Sequence, residues 1–199
     1  MRLTLVRHAE TPSNVRGALD CQPPGPGLTE RGETQAEALV ERFADVDFDA
    51  VFTSTLTRTQ LTAGPVAAAK GLPIQVLDNL REFSVGLLED RSDPEAIGVF
   101  VDVMRRWLLG DTTPAIGGGD TGDQILRRMD AAVEYIAESS VAPIVVGHGG
   151  AIRVWAAARA SNIDGDFAVA NYVVNTGVIV LDGRPGQWHC VSWDRPPPR

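Results

Sequence analysis

Short apolar runs of strand length alternate with helical patterns along this chain of 199 residues. Helical spacing is found after Thr29, which can cap a helix, and in Arg58–Lys70, Asp123–Ala137 and Ala151–Ala160. The apolar runs are Leu3–Val6, Ala50–Thr53, Ile74–Leu77, Ile144–Val146 and Val178–Leu181. Parallel strands need long crossover connections, so this alternation predicts an α/β fold. We expect a three-layer α/β/α sandwich with a mostly parallel central sheet. Pro65 lies inside the second helical pattern and predicts a kink or a late helix start.

Length and charge restrict the functions that the chain can have. No linker divides it, and we predict a single catalytic domain over residues 1–193, followed by a disordered tail over 194–199. The net charge is −8, which argues against binding of nucleic acid through a basic surface. No apolar run is long enough for a signal peptide or a membrane span, so we expect a cytoplasmic protein without a membrane partner. The oligomeric state is left open, with a homodimer as one option.

The segment from about residue 90 to 119 is the least regular part of the sequence, and it lies between predicted core elements. Its apolar residues include Phe100, Met104 and Trp107. An insertion of this kind is a candidate lid over a site. The alternative is an ordinary surface helix packed by these three side chains.

Polar side chains follow three of the predicted strands. Arg7 and His8 come directly after Val6, Arg58 opens the helix after the second strand, and His148 lies in a Gly-His-Gly-Gly turn. Each alone is more often structural than catalytic. Ligands of open α/β sheets bind at the carboxyl ends of the strands, where these groups would meet. Their convergence therefore favours a common site, whereas His189 lacks such a setting.

Glu82, in the segment Leu80–Phe83, supplies a carboxylic acid to this set. Arginine matches the oxygens of a phosphomonoester bidentately, so Arg7 and Arg58 can neutralise it. His148 and backbone N–H groups of the glycine-rich turn, including that of Gly149, can complete the phosphate cradle. His8 could then attack phosphorus while Glu82 protonates the leaving oxygen. The residues thus indicate phosphoryl transfer.

The motifs that carry these residues resemble those of the histidine phosphatase superfamily, which includes phosphoglycerate mutases and many small phosphatases. The resemblance extends from Arg2 to about Leu181. Its anchors are Arg7-His8-Ala9-Glu10-Thr11 with Asn14, Leu28-Thr29-Glu30-Arg31-Gly32 with Gln35-Ala36, Ser54-Thr55-Leu56-Thr57-Arg58 with Thr62-Ala63, Leu80-Arg81-Glu82-Phe83, Gly118-Gly119-Asp120-Thr121 and Val146-Gly147-His148-Gly149-Gly150. Alanine at position 9 replaces the commoner glycine.

The resemblance implies a role for each matching residue. His8 would form a phosphohistidine, phosphate oxygens would contact Arg7, Asn14, Arg58 and His148, and Glu82 would act first as acid and then as base. No metal and no cofactor is implied. The proline-rich loop CQPPGPG departs from the family pattern, and we expect Gln22, in its wall, to contact the substrate.

Three functions follow from this reading. We predict a metal-independent phosphatase of the histidine acid phosphatase type, acting on a small phosphorylated metabolite. A cofactor-dependent phosphoglycerate mutase, which is an isomerase, is the alternative. It is less favoured because the candidate lid offers mainly Arg91, Arg105 and Arg106 for anion binding. A family member that binds phospho-ligands without turnover is the third reading.

Overall fold

The computed structural model describes residues 1–194, which form one six-stranded sheet covered by helices on both faces. The strands are β1 Arg2–Arg7, β2 Ala50–Thr53, β3 Ile74–Val76, β4 Pro143–Gly147, β5 Val178–Arg184 and β6 Gln187–Trp193. The helices are α1 Pro12–Arg16, α2 Glu30–Arg42, α3 Thr57–Lys70, α4 Pro94–Leu108, α5 Gly122–Ser139, α6 Gly149–Arg159 and α7 Gly165–Ala170. Two single 3₁₀ turns, Asp78–Leu80 and Gly86–Leu88, precede α4.

The strand order in the sheet is β3-β2-β4-β1-β5-β6. The first four strands in this order are mutually parallel, whereas β5 is antiparallel to both β1 and β6. Both β2 and β4 are buried along their whole length, as expected for central strands with helices on either face. The predicted α/β sandwich with a mostly parallel sheet is confirmed.

Each face of the sheet packs a separate apolar core. On one face, side chains of β1, β2 and β4 pack against Leu39 and Phe43 from the α2 region and against Val66 of α3. The larger core on the other face joins the sheet to α4, α5 and α6, and its largest fully buried side chain is that of Trp155. These two cores hold the strand ends in fixed positions, which the site described below requires.

The helices α1 and α7 and the strand β6 were not predicted from the sequence. In β6, Trp188, Cys190 and Trp193 are buried while their neighbours are largely exposed. Asp164 caps the short helix α7 through the N–H of Phe167. The helix α3 begins at Thr57 and contains Pro65 in its interior, so the late helix start was wrong, whereas a kink at Pro65 stays a prediction.

About half of the candidate lid is the helix α4, which Asp93 caps. Trp107 is buried and donates from Nε1 to the carbonyl oxygen of Pro114 at 2.8 Å. The helix therefore packs through its apolar face, as the alternative reading expects, and movement of this segment as a lid stays a prediction. No helix within residues 1–194 is long and apolar enough to cross a bilayer. The predicted disordered tail lies, apart from Asp194, outside the described residues.

Candidate active site

A cavity of about 440 Å³ opens at the carboxyl ends of the parallel strands. Six of the residues predicted for the site line it: Arg7, His8, Asn14, Arg58, Glu82 and Gly149. The register of β1 against β4 explains why His8 and His148 lie close together. Arg7 of β1 pairs with Gly147 of β4, so the next residues, His8 and His148, leave the two strands side by side. Their ring centroids lie 5.4 Å apart.

His8 is buried, and its ring orientation is fixed by the backbone. Its Nδ1 lies 2.7 Å from the carbonyl oxygen of Ala9. A carbonyl oxygen only accepts, so Nδ1 carries the proton and Nε2 keeps its lone pair. Burial, together with the positive charges of Arg7 and Arg58, holds the pKa of His8 well below its usual range. The imidazole is therefore neutral at pH 7, with Nε2 as a nucleophilic nitrogen.

His148 is fully buried behind the cavity wall and contacts Ser54. Its Nε2 lies 2.7 Å from Oγ of Ser54, which also accepts from the N–H of Leu56 at 3.2 Å. When the Ser54 hydroxyl donates to Nε2, the remaining proton of the ring is on Nδ1. Nδ1 is buried and has no hydrogen-bond partner among the described residues. In this tautomer His148 retains one unused donor on Nδ1, but the residue does not line the cavity, so its contact with phosphate stays a prediction. Ser54 was named in the sequence only as part of the motif Ser54-Thr55-Leu56-Thr57-Arg58, with no role assigned to it.

The two predicted arginines are held by contacts with loops. Nη1 of Arg7 donates to the carbonyl oxygen of Val173 at 2.8 Å. Nη2 of Arg58 donates to the backbone oxygen of Asp20 at 2.8 Å, and its Nη1 lies 3.4 Å from the Asp20 carboxylate. Nε of Arg58 is buried and without a partner within the described part of the chain. Both guanidinium groups are therefore positioned before any ligand binds.

Asn14 lies in the short helix α1, next to the cavity. The Oγ1 of Thr11 accepts from the N–H of Asn14, and the Asn14 amide oxygen accepts in return from the N–H of Thr11, which forms a capping box. The same amide oxygen accepts from Nδ2 of Asn175 at 3.0 Å. Asn175 also donates to the carbonyl oxygen of His8 at 3.0 Å. Asn175 was not predicted, and it links the segment that contains His8 to Asn14.

Glu82 lies at the N-terminus of α6, where its carboxylate accepts three backbone N–H groups. Oε1 accepts from Phe83 at 3.2 Å and from Ala151 at 2.9 Å, and Oε2 accepts from Gly150 at 3.0 Å. Burial raises the pKa of Glu82, and the N–H donors and Arg58 oppose this effect. Oε1 has both lone pairs occupied, so a proton is best placed on Oε2. Glu82 can thus present an acid to the cavity.

The two glycines after His148 allow this close approach. A Cβ on Gly149 would lie 2.9 Å from Cδ of Arg7, and one on Gly150 would lie 2.4 Å from Cε1 of Phe83. Distances below 3 Å are not tolerated between these atoms without movement. The Gly-Gly pair is therefore a steric requirement of the site, in addition to any contact with phosphate.

Gln22 is the one predicted site residue on the molecular surface. Its side-chain amide donates to Oγ of Ser84 at 3.3 Å, and the residue is exposed and does not line the cavity. The reason is that Glu89 accepts from the backbone N–H groups of Cys21 and Gln22 and fixes this loop. A contact of Gln22 with substrate stays a prediction.

Several residues that line the cavity were not predicted. Arg153 of α6 could have been found as the fourth residue after Gly149, since residues four apart share a helix face. Phe83 and Gly150 stand in the motifs quoted above, and Phe100 and Met104 in the candidate lid, but none of the four was predicted to line the site. The others come from segments that no sequence signal marked: Gly17, Ala18, Leu19, Asp20, Cys21, Tyr172, Val173 and Asn175. Within residues 1–194, no group of three or more histidine, cysteine or acidic side chains is arranged to hold a metal ion.

Comparisons with known proteins identify relatives of this chain. The PE-PGRS family protein PE_PGRS11 of Mycobacterium tuberculosis is 35% identical over 96% of this chain, which spans 36% of that protein. Phosphoserine phosphatase 1 of Hydrogenobacter thermophilus is 30% identical over 68% of this chain and 64% of its own length. The chain thus spans less than two thirds of these two relatives. The protein named "Probable phosphoglycerate mutase GpmB" of Salmonella choleraesuis is 30% identical over 97% of this chain and 90% of its own length.

The fold has solved counterparts. A mycobacterial glucosyl-3-phosphoglycerate phosphatase superposes with a TM-score of 0.83 at 25% identity, and 98% of this chain and 99% of that chain are covered. Over residues 3–196 the sequence matches the family described as histidine phosphatase superfamily (branch 1). This match covers nearly the whole chain and includes every residue of the cavity. The chain therefore belongs to branch 1 of the histidine phosphatase superfamily.

Proposed function

We propose that this chain is a phosphatase that hydrolyses a small phosphomonoester through a phosphohistidine on His8, without a metal. The observation that carries the proposal is the state of His8. Its proton is fixed on Nδ1 by Ala9, and its pKa is held well below the usual range, which leaves Nε2 free at neutral pH. A free imidazole nitrogen beside two arginines is suited to attack a phosphorus atom.

The two half-reactions use the same residues in opposite roles. Arg7, Arg58, Asn14 and the Nδ1 proton of His148 would bind the phosphoryl oxygens and stabilise the charge that develops on them. The Nε2–P bond forms while the P–O bond to the leaving group breaks, and Oε2 of Glu82 protonates the departing alkoxide. Glu82, now ionised, then takes a proton from water, which attacks the phosphohistidine. His8 and the protonated Glu82 are thereby regenerated.

The relatives support the phosphatase reading over the other two. The names phosphoserine phosphatase and glucosyl-3-phosphoglycerate phosphatase belong to proteins that release phosphate from small esters. The mutase remains the second candidate because a GpmB homologue covers 97% of the chain. It is disfavoured because Arg91, Arg105 and Arg106 do not line the cavity. An acid phosphatase type of pH dependence and a cytoplasmic location are also parts of this proposal.

The test combines phosphate release with trapping of the phosphoenzyme. The wild-type protein is expected to release inorganic phosphate from p-nitrophenyl phosphate and to form an acid-labile phosphoenzyme. His8→Ala should lose both by at least about 10³-fold, because the nucleophile is absent. His189→Ala is the matched control, since this histidine lies exposed on β6, and it should retain wild-type activity.

Three results would contradict the proposal. Ester binding without turnover by the wild-type protein would favour a non-catalytic phospho-ligand binder. Efficient interconversion of 3- and 2-phosphoglycerate with little release of phosphate would establish the mutase. Undiminished turnover by His8→Ala would exclude the phosphohistidine mechanism itself.

A further inference from the structure

Arg153 is a third arginine that lines the cavity, and it has no role in the proposed mechanism. It lies on α6, four residues after Gly149, and so on the same face of the helix about 6 Å further along the axis. It lines the cavity together with Arg7, Phe83 and Tyr172. Arg153 therefore faces a part of the bound ligand beyond the phosphoryl group.

The guanidinium of Arg153 is fixed by the end of a neighbouring helix. Nε donates to the carbonyl oxygen of Ala168 at 2.7 Å, and Nη2 donates to that of Val169 at 2.8 Å. Both acceptors belong to the last turn of α7, whose carbonyl groups favour a cation. In residues 1–194 no acceptor is bound to Nη1. One N–H edge of a rigid guanidinium is thus left for a ligand.

The charge of Arg153 has no counter-ion among the described residues. Arg58 lies 3.4 Å from the Asp20 carboxylate, and Arg159 lies 2.6 Å from that of Asp130, but no carboxylate is within ion-pair distance of Arg153. Burial alone lowers the pKa of Arg153 to about 10, so the side chain stays charged at neutral pH. The two carbonyl groups hydrogen-bond the guanidinium but do not neutralise it, and a desolvated cation without a counter-ion favours the binding of an anion.

We infer that the substrate carries a carboxylate besides its phosphate, and that Nη1 of Arg153 binds this carboxylate. The inference rests on the proposed function. A carboxylate places a single charge against a single guanidinium edge. A second phosphate would bring a second dianion, and Arg7 and Arg58 are already assigned to the reacting one. Phe100 and Met104 of α4 line the same cavity and suit the short carbon skeleton between the two anionic groups.

The test uses pairs of esters that differ in the carboxylate. 3-Phosphoglycerate is compared with glycerol phosphate, in which a hydroxymethyl group replaces the carboxylate, and phosphoserine with phosphoethanolamine, which lacks it. For at least one pair, the wild-type kcat/KM is expected to be about 10- to 100-fold higher for the carboxylate ester, the range of a charge-assisted hydrogen bond. Arg153→Gln should reduce this ratio to about 1, and Arg153→Lys should leave an intermediate ratio.

Arg105→Gln is the matched control, because Arg105 is exposed on α4 and outside the cavity lining. It should keep the wild-type ratio. The ratio compares two substrates on one protein, so a partial loss of folded protein does not change it. A wild-type ratio near 1 for both pairs, or a ratio that survives in Arg153→Gln, would overturn the inference. An Arg153-dependent preference for a hexose bisphosphate over the monophosphate would instead assign the site to a second phosphate.

A binding measurement separates this inference from the proposed function. Calorimetry of the same pairs on His8→Ala measures affinity without turnover, and the double variant His8→Ala/Arg153→Gln is its reference. A preference for the carboxylate ester that disappears in the double variant supports the site even when the wild-type protein hydrolyses nothing. If His8→Ala binds both esters of each pair with equal affinity, the inference is contradicted. The proposed function is tested separately, by hydrolysis of p-nitrophenyl phosphate by the wild-type protein.

Discussion

At the scale of single residues, burial gives His8 and Glu82 the protonation states that their proposed roles require. Both groups are desolvated, but burial acts in opposite directions on a base and an acid. It lowers the pKa of His8, so the nitrogen is free to attack, and it raises the pKa of Glu82, so the carboxyl group keeps a proton to higher pH. A site with a free base and a protonated acid at the same pH follows from one physical cause.

We expect the pH dependence of kcat to report Glu82. With an alkyl phosphate, the rate should fall as pH rises through the raised pKa of Glu82, because its proton is lost, giving an acidic to near-neutral optimum. Glu82→Gln should lower kcat for the alkyl ester by about 10²- to 10⁴-fold and remove this decline. p-Nitrophenyl phosphate, whose leaving group needs no proton, should be affected less. A rate that still increases at strongly alkaline pH would contradict the assignment.

At the scale of elements, the turn between β4 and α6 organises the site. Its backbone N–H groups hold the Glu82 carboxylate, and its first residue, His148, follows β4 directly. The turn can approach Arg7 and Phe83 only because Gly149 and Gly150 lack a Cβ. Steric and electrostatic requirements thus coincide in four consecutive residues.

Gly150→Ala should damage the site more than the fold. The added Cβ would lie 2.4 Å from the Phe83 ring and 3.0 Å from Oε1 of Glu82, so both side chains must move. We expect phosphatase activity to fall at least about tenfold, with a loss of about 1–3 kcal/mol in the free energy of unfolding.

Gly98→Ala is the control for this prediction. It makes the same substitution in α4, where nothing lies within 4 Å of the added Cβ. It should keep full activity and gain up to about 1 kcal/mol in stability. Activity and denaturant unfolding are measured on both variants. Wild-type activity in Gly150→Ala would show that the turn tolerates a side chain.

At the scale of the whole molecule, the site imposes a cost on stability at acidic pH. His8 and His148 are both buried, with pKa values well below the usual range. Below about pH 6.5 the two histidines bind protons in the unfolded chain but stay neutral in the native state. The unfolded state then binds more protons, and stability falls as pH decreases. Glu82 acts in the opposite direction, because its raised pKa makes the native state bind the extra proton.

Between pH 7 and pH 5 we therefore expect the free energy of unfolding to decrease by on the order of 1 kcal/mol per buried histidine. The decrease should be largely absent in His8→Asn/His148→Asn. The exposed His189 serves as the control, since His189→Asn should keep the wild-type slope. Urea unfolding at a series of pH values measures the effect. Stability that is constant or increases towards pH 5 in the wild-type protein would contradict it.

Local sequence determined the elements and the chemistry of the site. The continuous apolar run of β2 and the helical spacing of apolar residues in α2 predicted both elements closely, because a central strand is buried on both faces and a surface helix on one. The motifs around His8, Arg58, Glu82 and His148 predicted residues that the fold brings to one region, because parallel strands place their carboxyl ends at one edge.

Tertiary structure alone decided what depends on long-range contacts. The side chain of Gln22 is turned to the surface by loop contacts with Ser84 and Glu89, 62 and 67 residues away in the chain. The free edge of Arg153 depends on carbonyl groups of α7, 15 and 16 residues away in the chain. Sequence period reports which face is buried, whereas the direction of one hydrogen bond depends on partners that only the folded chain brings together.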